Sequence, residues 1–136
     1  MTSEFNIAIH ALVYLDKTKE IVSSEQLAKN ICTNSARVRK VLAKLRKAEI
    51  IGSKGGPEGG YYLLEDILSI DLKTICEVVD IELINQSWKS GDVNQACLIS
   101  SGMSDIMEKL YDELNTKMLK ELSKKTIGSI CKNLYK

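Results

Sequence analysis

Between Ser23 and Leu63 the chain holds two helix-start signals, a basic helix and a glycine-rich hairpin, and that order constrains its fold more than any other feature. Ser23 and Gln26 have capping-box spacing and are followed by apolar Leu27, Ala28 and Ile31, which predicts a short helix from Ser24. Cys32-Thr33-Asn34 interrupts it, and Asn34 or Ser35 can cap a second helix running to about Ala48. Val38, Val41, Leu42 and Leu45 form an apolar stripe at helical spacing. The other faces carry Arg37, Arg39, Lys40, Lys44, Arg46 and Lys47, with no acidic residue from Ser35 to Lys47. Ile50-Ile51 predicts a small strand, the run from Gly55 to Gly60 a hairpin tip, and Tyr61-Tyr62-Leu63-Leu64 the returning strand. Helix, tight turn, basic helix and hairpin make the layout of a winged helix-turn-helix. A helix that is apolar on one face and cationic elsewhere suits the major groove of DNA.

The remaining pattern is mainly helical. Ser3 to Leu15 reads as a first helix, with Phe5, Ile9, Leu12 and Tyr14 or Leu15 available for burial. A polar connection from Asp16 to Glu20 leads to Ile21-Val22, a candidate edge strand. Asp71 can cap a helix from Leu72 to about Val79, where Leu72, Ile75, Cys76 and Val79 share a face. Asp80 to Gln95 has weak periodicity and reads as a loop with a short helical turn. From about Ser101 to Lys124 the spacing of Met103, Ile106, Met107, Leu110, Leu114, Met118 or Leu119, and Leu122 predicts one helix about 35 Å long. That exceeds what the small core beside it needs, and the surplus is most simply buried against a second copy of the chain. A closing helix from Thr126 to Leu134 ends the pattern. The expected architecture is a mainly α winged helix-turn-helix with a two-stranded β-wing. Residues 1–80 would form the DNA-binding domain, and residues 81–136 the sensor loop and dimerisation helices.

Composition narrows the function. At 136 residues, 44% hydrophobic and 27% charged, the chain is globular in type. The net charge of +1 conceals an asymmetry. Residues 1–63 hold ten Lys/Arg against six Asp/Glu, whereas residues 64–136 hold nine against twelve, so the front half is suited to phosphate. No apolar run approaches the roughly 18–20 residues of a membrane span, and no secretory pattern opens the chain, so no membrane partner and a cytoplasmic location are expected. His10, the only histidine, has no nucleophile in a recognisable arrangement with it. The run Gly55–Gly60 lacks the GK[ST] ending of a phosphate-binding loop. The chain is therefore not expected to be an enzyme. Cys32, Cys76, Cys97 and Cys131 show no CxxC or Cys/His ligand spacing, so no zinc site is expected.

The run from Leu45 to Leu63, LRKAEIIGSKGGPEGGYYL, resembles the "LRKxGLVxSxRGxxGGYxL" stretch of the bacterial regulator family of IscR, NsrR and CymR. The likeness extends to Leu27-Ala28 and to Ile70-Asp71-Leu72. It implies a homodimeric winged-helix transcription regulator, bound to a palindromic double-stranded operator, with the long helix as its dimer interface. Three departures qualify the resemblance. Gly55 stands where the family has a wing arginine, with Lys54 one position earlier, and Lys lacks the planar fork of Arg. Glu49 replaces the glycine that follows the recognition helix. Cluster-binding members carry three closely spaced cysteines before the dimer helix, where this chain has only Cys97, so no iron–sulfur cluster and no other cofactor are expected.

Arg39 and Lys40, opposite the apolar stripe, are the candidates for base-edge contacts. Ser35, Arg37 and Lys44 are assigned to phosphates, with Ser53 and Lys54 on the wing. Cys32, close to a helix N-terminus, and Cys97, in the loop where the family places its sensor, are candidate redox residues. Their oxidation to an intersubunit Cys32–Cys97 disulfide would switch a repressor. The alternative leaves the cysteines inert and assigns the switch to a small metabolite or a partner protein. Cys76 and Cys131 read as packing residues, His10 as a partly buried structural one, and Trp88 as a loop residue covering a pocket or the long helix.

Overall fold

The computed structural model describes residues 3–79 and 84–135. The chain forms two compact units: residues 1–81 together with 122–136, and residues 82–121. The closing helix thus belongs with the front of the chain, not with the long helix that precedes it.

The first unit begins with α1 (Ser3–Thr18), α2 (Ser24–Ile31) and α3 (Ser35–Lys47). Ser23 caps α2 in a complete capping box, its Oγ accepting from Gln26 N at 3.1 Å while Gln26 Oε1 accepts from Ser23 N at 3.0 Å. Of the two candidate caps for α3, Asn34 is the one used, its Oδ1 accepting from Arg37 N at 2.9 Å. The predicted stripe of Val38, Val41, Leu42 and Leu45 is fully buried. It meets α1, which buries Phe5, Ile7, Ala8, Ala11, Leu12, Val13 and Leu15. That is more than a single stripe, because α1 is enclosed by α2, α3 and the later helices of the unit. His10 is exposed rather than half-buried, and its Nε2 lies 2.7 Å from Asn30 Oδ1 on α2.

Two strands, β1 (Ile51–Lys54) and β2 (Gly60–Leu63), pair antiparallel with Ile51 opposite Leu63 and Lys54 opposite Gly60. Ile21-Val22 does not form an edge strand. Val22 alone joins the wing, donating to Tyr61 O at 3.0 Å and accepting from Tyr61 N at 2.8 Å. Glycine is required at the turn of this hairpin. A Cβ on Gly59 would stand 2.1 Å from Lys54 O, and one on Gly60 2.4 Å from Val22 O.

Next come α4 (Leu72–Val78), capped by Asp71 through Thr74 N at 2.8 Å, and, after the second unit, α6 (Ile127–Leu134), capped by Thr126. Hydrogen bonds from Leu72 N to Lys125 O (2.9 Å) and from Ile127 N to Ile70 O (3.0 Å) clip the starts of these helices together. Cys76, on its apolar face, and Cys131 are both buried here, in keeping with their reading as packing residues.

The second unit is dominated by α5 (Leu98–Ser123), 26 residues and about 39 Å at the usual rise. The segment before it is irregular from Ile84 to Cys97, with one turn closed by Gln95 N to Asp92 O, and the first part of the predicted loop, residues 80–83, lies outside the described residues. Asn115 secures this segment to α5, accepting from Ile84 N at 2.9 Å and donating to Ile84 O at 2.7 Å. Of α5 only Ser104 is buried, while Ile106, Leu110 and Leu114 stay exposed along one face.

The join between α3 and the wing departs from ideal backbone. Glu49 has φ +60°, in the left-handed region that glycine occupies without strain, because Ile50 N must turn back to Leu45 O at 3.1 Å to close the helix. Glu49→Gly is expected to stabilise the unit by about 0.5–1 kcal/mol, the relief of strain outweighing the added freedom of the unfolded chain. A thermal melt should show Tm rising by a few degrees; an unchanged or lower Tm would contradict this account.

Candidate nucleic-acid interface

The outward line of α3 is fixed by what its inner line buries. Diametrically opposite Val38, Val41, Leu42 and Leu45 lie Ala36, Lys40, Ala43 and Lys47, all exposed at one-turn intervals. Arg37 flanks this line on one side, with Arg39 and Arg46 on the other, all exposed. The alternation of alanine and lysine matters physically. Methyl side chains let the helix backbone come close to a groove floor, while the lysines supply charge at its edges. Ala36 and Ala43 were not among the candidates read from the sequence, although the stripe predicted there already fixed its opposite face.

The cationic side chains are less free than the sequence implied. Lys44 is turned inward, its side chain 28% exposed, with Nζ 3.0 Å from Glu4 Oε2 and 3.2 Å from Val79 O. Its position ties α3 to α1 and α4 and gives it intramolecular partners in place of the phosphate assigned to it above. The other oxygen of Glu4, Oε1, reaches Lys40 Nζ at 3.3 Å. Hydrogen bonding to Lys44 holds the Glu4 carboxyl below its ordinary pKa, against the upward push of burial, with Lys40 adding to the effect. Arg39 Nη1 stands 3.6 Å from Glu25 Oε1 on α2. Arg37 bonds Ser3 Oγ and Thr33 Oγ1, and Ser35 is half-buried in the first turn. The acidic partners come from α1 and α2, a feature invisible in the charge run of α3 alone.

On the wing, Ser53 is half-buried in β1 and Lys54 is exposed where β1 enters the turn. A Cβ on Gly55 would meet nothing within 4 Å. The missing arginine of the resembling family would therefore fit sterically at this position.

The four thiols divide by environment. Cys76 and Cys131 are buried, and desolvation pushes both thiols up, aided by Glu77 and Asp16 respectively. Cys32 and Cys97 are exposed. Cys97 immediately precedes α5, and hydrogen bonds from the backbone N–H groups of Ser100 and Ile99 draw its pKa down. Cys32 lies in the turn ahead of α3, two residues before its cap, but its own hydrogen bonds are those of the end of α2. It ends α2 in the left-handed region at φ +67°, its N–H donating to Ala28 O at 2.8 Å and its S–H directed at Lys29 O at 3.6 Å. Asn34 takes the N-terminal position of α3, and it is Cys97 whose sulfur meets the N–H groups of a helix start.

Comparison with known proteins gives a consistent result. The family model described as Rrf2, iron-dependent transcriptional regulator, matches residues 1–133. The chain is similar to YwnA of Bacillus subtilis, at 23% identity over 139 residues and 99% of each chain. It is also similar to the HTH-type transcriptional regulator IscR of Vibrio vulnificus, at 28% identity over 127 residues, covering 90% of this chain and 76% of that one. Among solved structures, a Lactobacillus plantarum protein matches its fold with a TM-score of 0.88 at 21% identity, covering 99% of this chain and 91% of that one. Among the described residues the iron in the family description finds no matching donor set. No three His, Cys, Asp or Glu side chains among the described residues are grouped to hold a metal ion, and two of the four cysteines are buried.

Proposed function

The chain belongs to the Rrf2 family of transcriptional regulators, and from that premise we propose that it is a homodimeric, sequence-specific repressor switched by thiol oxidation. Regulators of this family bind DNA and generally act as dimers. The observation that carries the DNA-binding reading is the outer face of α3, where Ala36, Lys40, Ala43 and Lys47 form an exposed line flanked by arginines and followed by the wing. Lys40 and Arg39 are assigned to base edges, and Arg37, Ser35, Ser53 and Lys54 to phosphates. A two-fold dimer presents two such helices, so its operator is palindromic. The exposed apolar face of α5 is the surface that a second copy would cover.

The switch rests on the division among the thiols. Cys32 and Cys97 are exposed, and Cys97 carries the lowered pKa that favours thiolate. A two-electron oxidant such as diamide takes the electrons and protons of two thiols, and a disulfide forms between Cys32 of one protomer and Cys97 of the other. The experiment is an operator-promoter gel shift with reduced and diamide-treated protein, alongside Cys32→Ser and Cys97→Ser. A redox-dependent shift lost in either variant is expected; operator binding indifferent to diamide would remove the thiol switch and leave the DNA reading intact.

A second reading keeps the regulator and gives the switch to a small metabolite. It is favoured by a groove of about 550 Å³ lined by Ile9, His10, Val13, Tyr14, Ile130 and Tyr135, within the size range of small-molecule sites. Asn30, near the end of α2, also lines it, so an occupant would touch the helix that leads into the turn before α3.

A further inference from the structure

We propose that Glu25 and Glu4 are positioning residues for DNA reading, holding the Arg39 guanidinium and the Lys40 ammonium in fixed places on the outer face of α3. The inference deepens the DNA-binding reading above and rests on it.

Glu4 is anchored from behind. Its Oε2 is held by Lys44, whose ammonium is also held by Val79 O, so Oε1 presents a fixed acceptor to Lys40 at 3.3 Å. Lys40 itself is 70% exposed, and a lysine so exposed ordinarily samples many rotamers. Glu25 stands in the first turn of α2, steadied by Ser24 Oγ at 3.3 Å, and faces Arg39 Nη1. A guanidinium has five N–H donors, and a bidentate contact to guanine uses two, so Glu25 and a base can hold the same side chain at once. Both acids also place negative charge beside the surface that phosphates must approach.

Two consequences of opposite sign follow. Sequence-specific contact gains from side chains that are already oriented, because less rotamer freedom is lost on binding. Contact with phosphates alone gains nothing from orientation and is opposed by the acidic charge. Glu25 and Glu4 therefore raise the ratio of specific to non-specific affinity instead of raising affinity in general.

The test uses the full chain, a duplex enriched from a random-sequence library by the wild-type protein, and a scrambled duplex of equal length. Fluorescence anisotropy is measured for wild type, Glu25→Ala, Glu25→Gln and Arg39→Ala, with thermal melts to confirm folding. Exposed ion pairs of this kind contribute modestly, so Glu25→Ala should weaken the enriched duplex by about two- to fivefold. It should tighten the scrambled duplex by a similar factor. Glu25→Gln keeps an acceptor for Arg39 without the charge, and should lose less on the enriched duplex while still gaining on the scrambled one. In an Arg39→Ala background, Glu25→Ala should cause no further loss on the enriched duplex. Equal changes on both duplexes, or an unaltered Glu25→Ala effect without Arg39, would overturn the positioning role while leaving DNA binding in place. Failure of the wild type to enrich any duplex would overturn the DNA-binding reading itself, and this inference with it.

Discussion

Leu42→Ala is expected to remove about 2–5 kcal/mol of stability, the range for emptying a fully enclosed leucine site. Leu42 is 0% exposed, in the centre of the stripe that fastens α3 to the rest of its unit. Val38, Val41 and Leu45 are enclosed as completely, so the neighbours that could close the cavity are themselves fixed by packing. A domain of this size has a stability of roughly 5–15 kcal/mol, so the variant should remain folded in the cold and unfold at much lower denaturant concentration. Urea titration followed by circular dichroism should show a lower midpoint with an unchanged slope. Operator affinity, measured where the variant is folded, should fall further than the unfolded fraction explains, because the cavity loosens the seat of the reading helix. A midpoint within the range of surface substitutions would mean that α3 is not held by this stripe.

The fold was legible wherever a local rule was sufficient. The caps at Ser23 and Asp71, one of the two cap candidates of α3 and the apolar stripe of that helix follow from spacings of three or four residues, and each is present. Element ends were less legible. The first helix continues to Thr18, where Lys19 at φ +54° stops it, and α5 starts at Leu98 rather than Ser101. What could not be read from the sequence depends on distant residues. Glu4 meets Lys44 across 40 positions and Glu25 meets Arg39 from another helix, so a charge run that looked uniform contains one inward cation and two more that are paired with acids. The burial of Ile7, Ala11 and Val13 depends on α1 being enclosed by several elements, which periodicity along α1 alone cannot disclose. Position relative to a helix end likewise depends on the folded backbone. Cys32 and Cys97 each adjoin a helix terminus in sequence, but only Cys97 has backbone N–H donors on its sulfur.

The second large effect is expected from a residue that contributes nothing to the core. Ala43→Glu should reduce operator affinity more than a hundredfold while leaving Tm within a few degrees of wild type. Ala43 is exposed on the outward line of α3, between Lys40 and Lys47, so a longer side chain there displaces no packed neighbour. Glutamate is nearly as good a helix former as alanine, and the basic residues around it would accept the added charge in the free protein. In the complex the same charge is driven against phosphates and base acceptors, where like-charge contact costs several kcal/mol. Bulk contributes separately, because a methyl group permits the close approach that a five-atom side chain forbids. Ala43→Gln separates the two causes: it carries the bulk without the charge and should fall between wild type and Ala43→Glu. If Ala43→Glu binds the operator as tightly as wild type at the same salt concentration, the outer face of α3 does not enter the groove. Contact would then have to lie on the wing, where Lys54 and the open position at Gly55 provide the next surface to test.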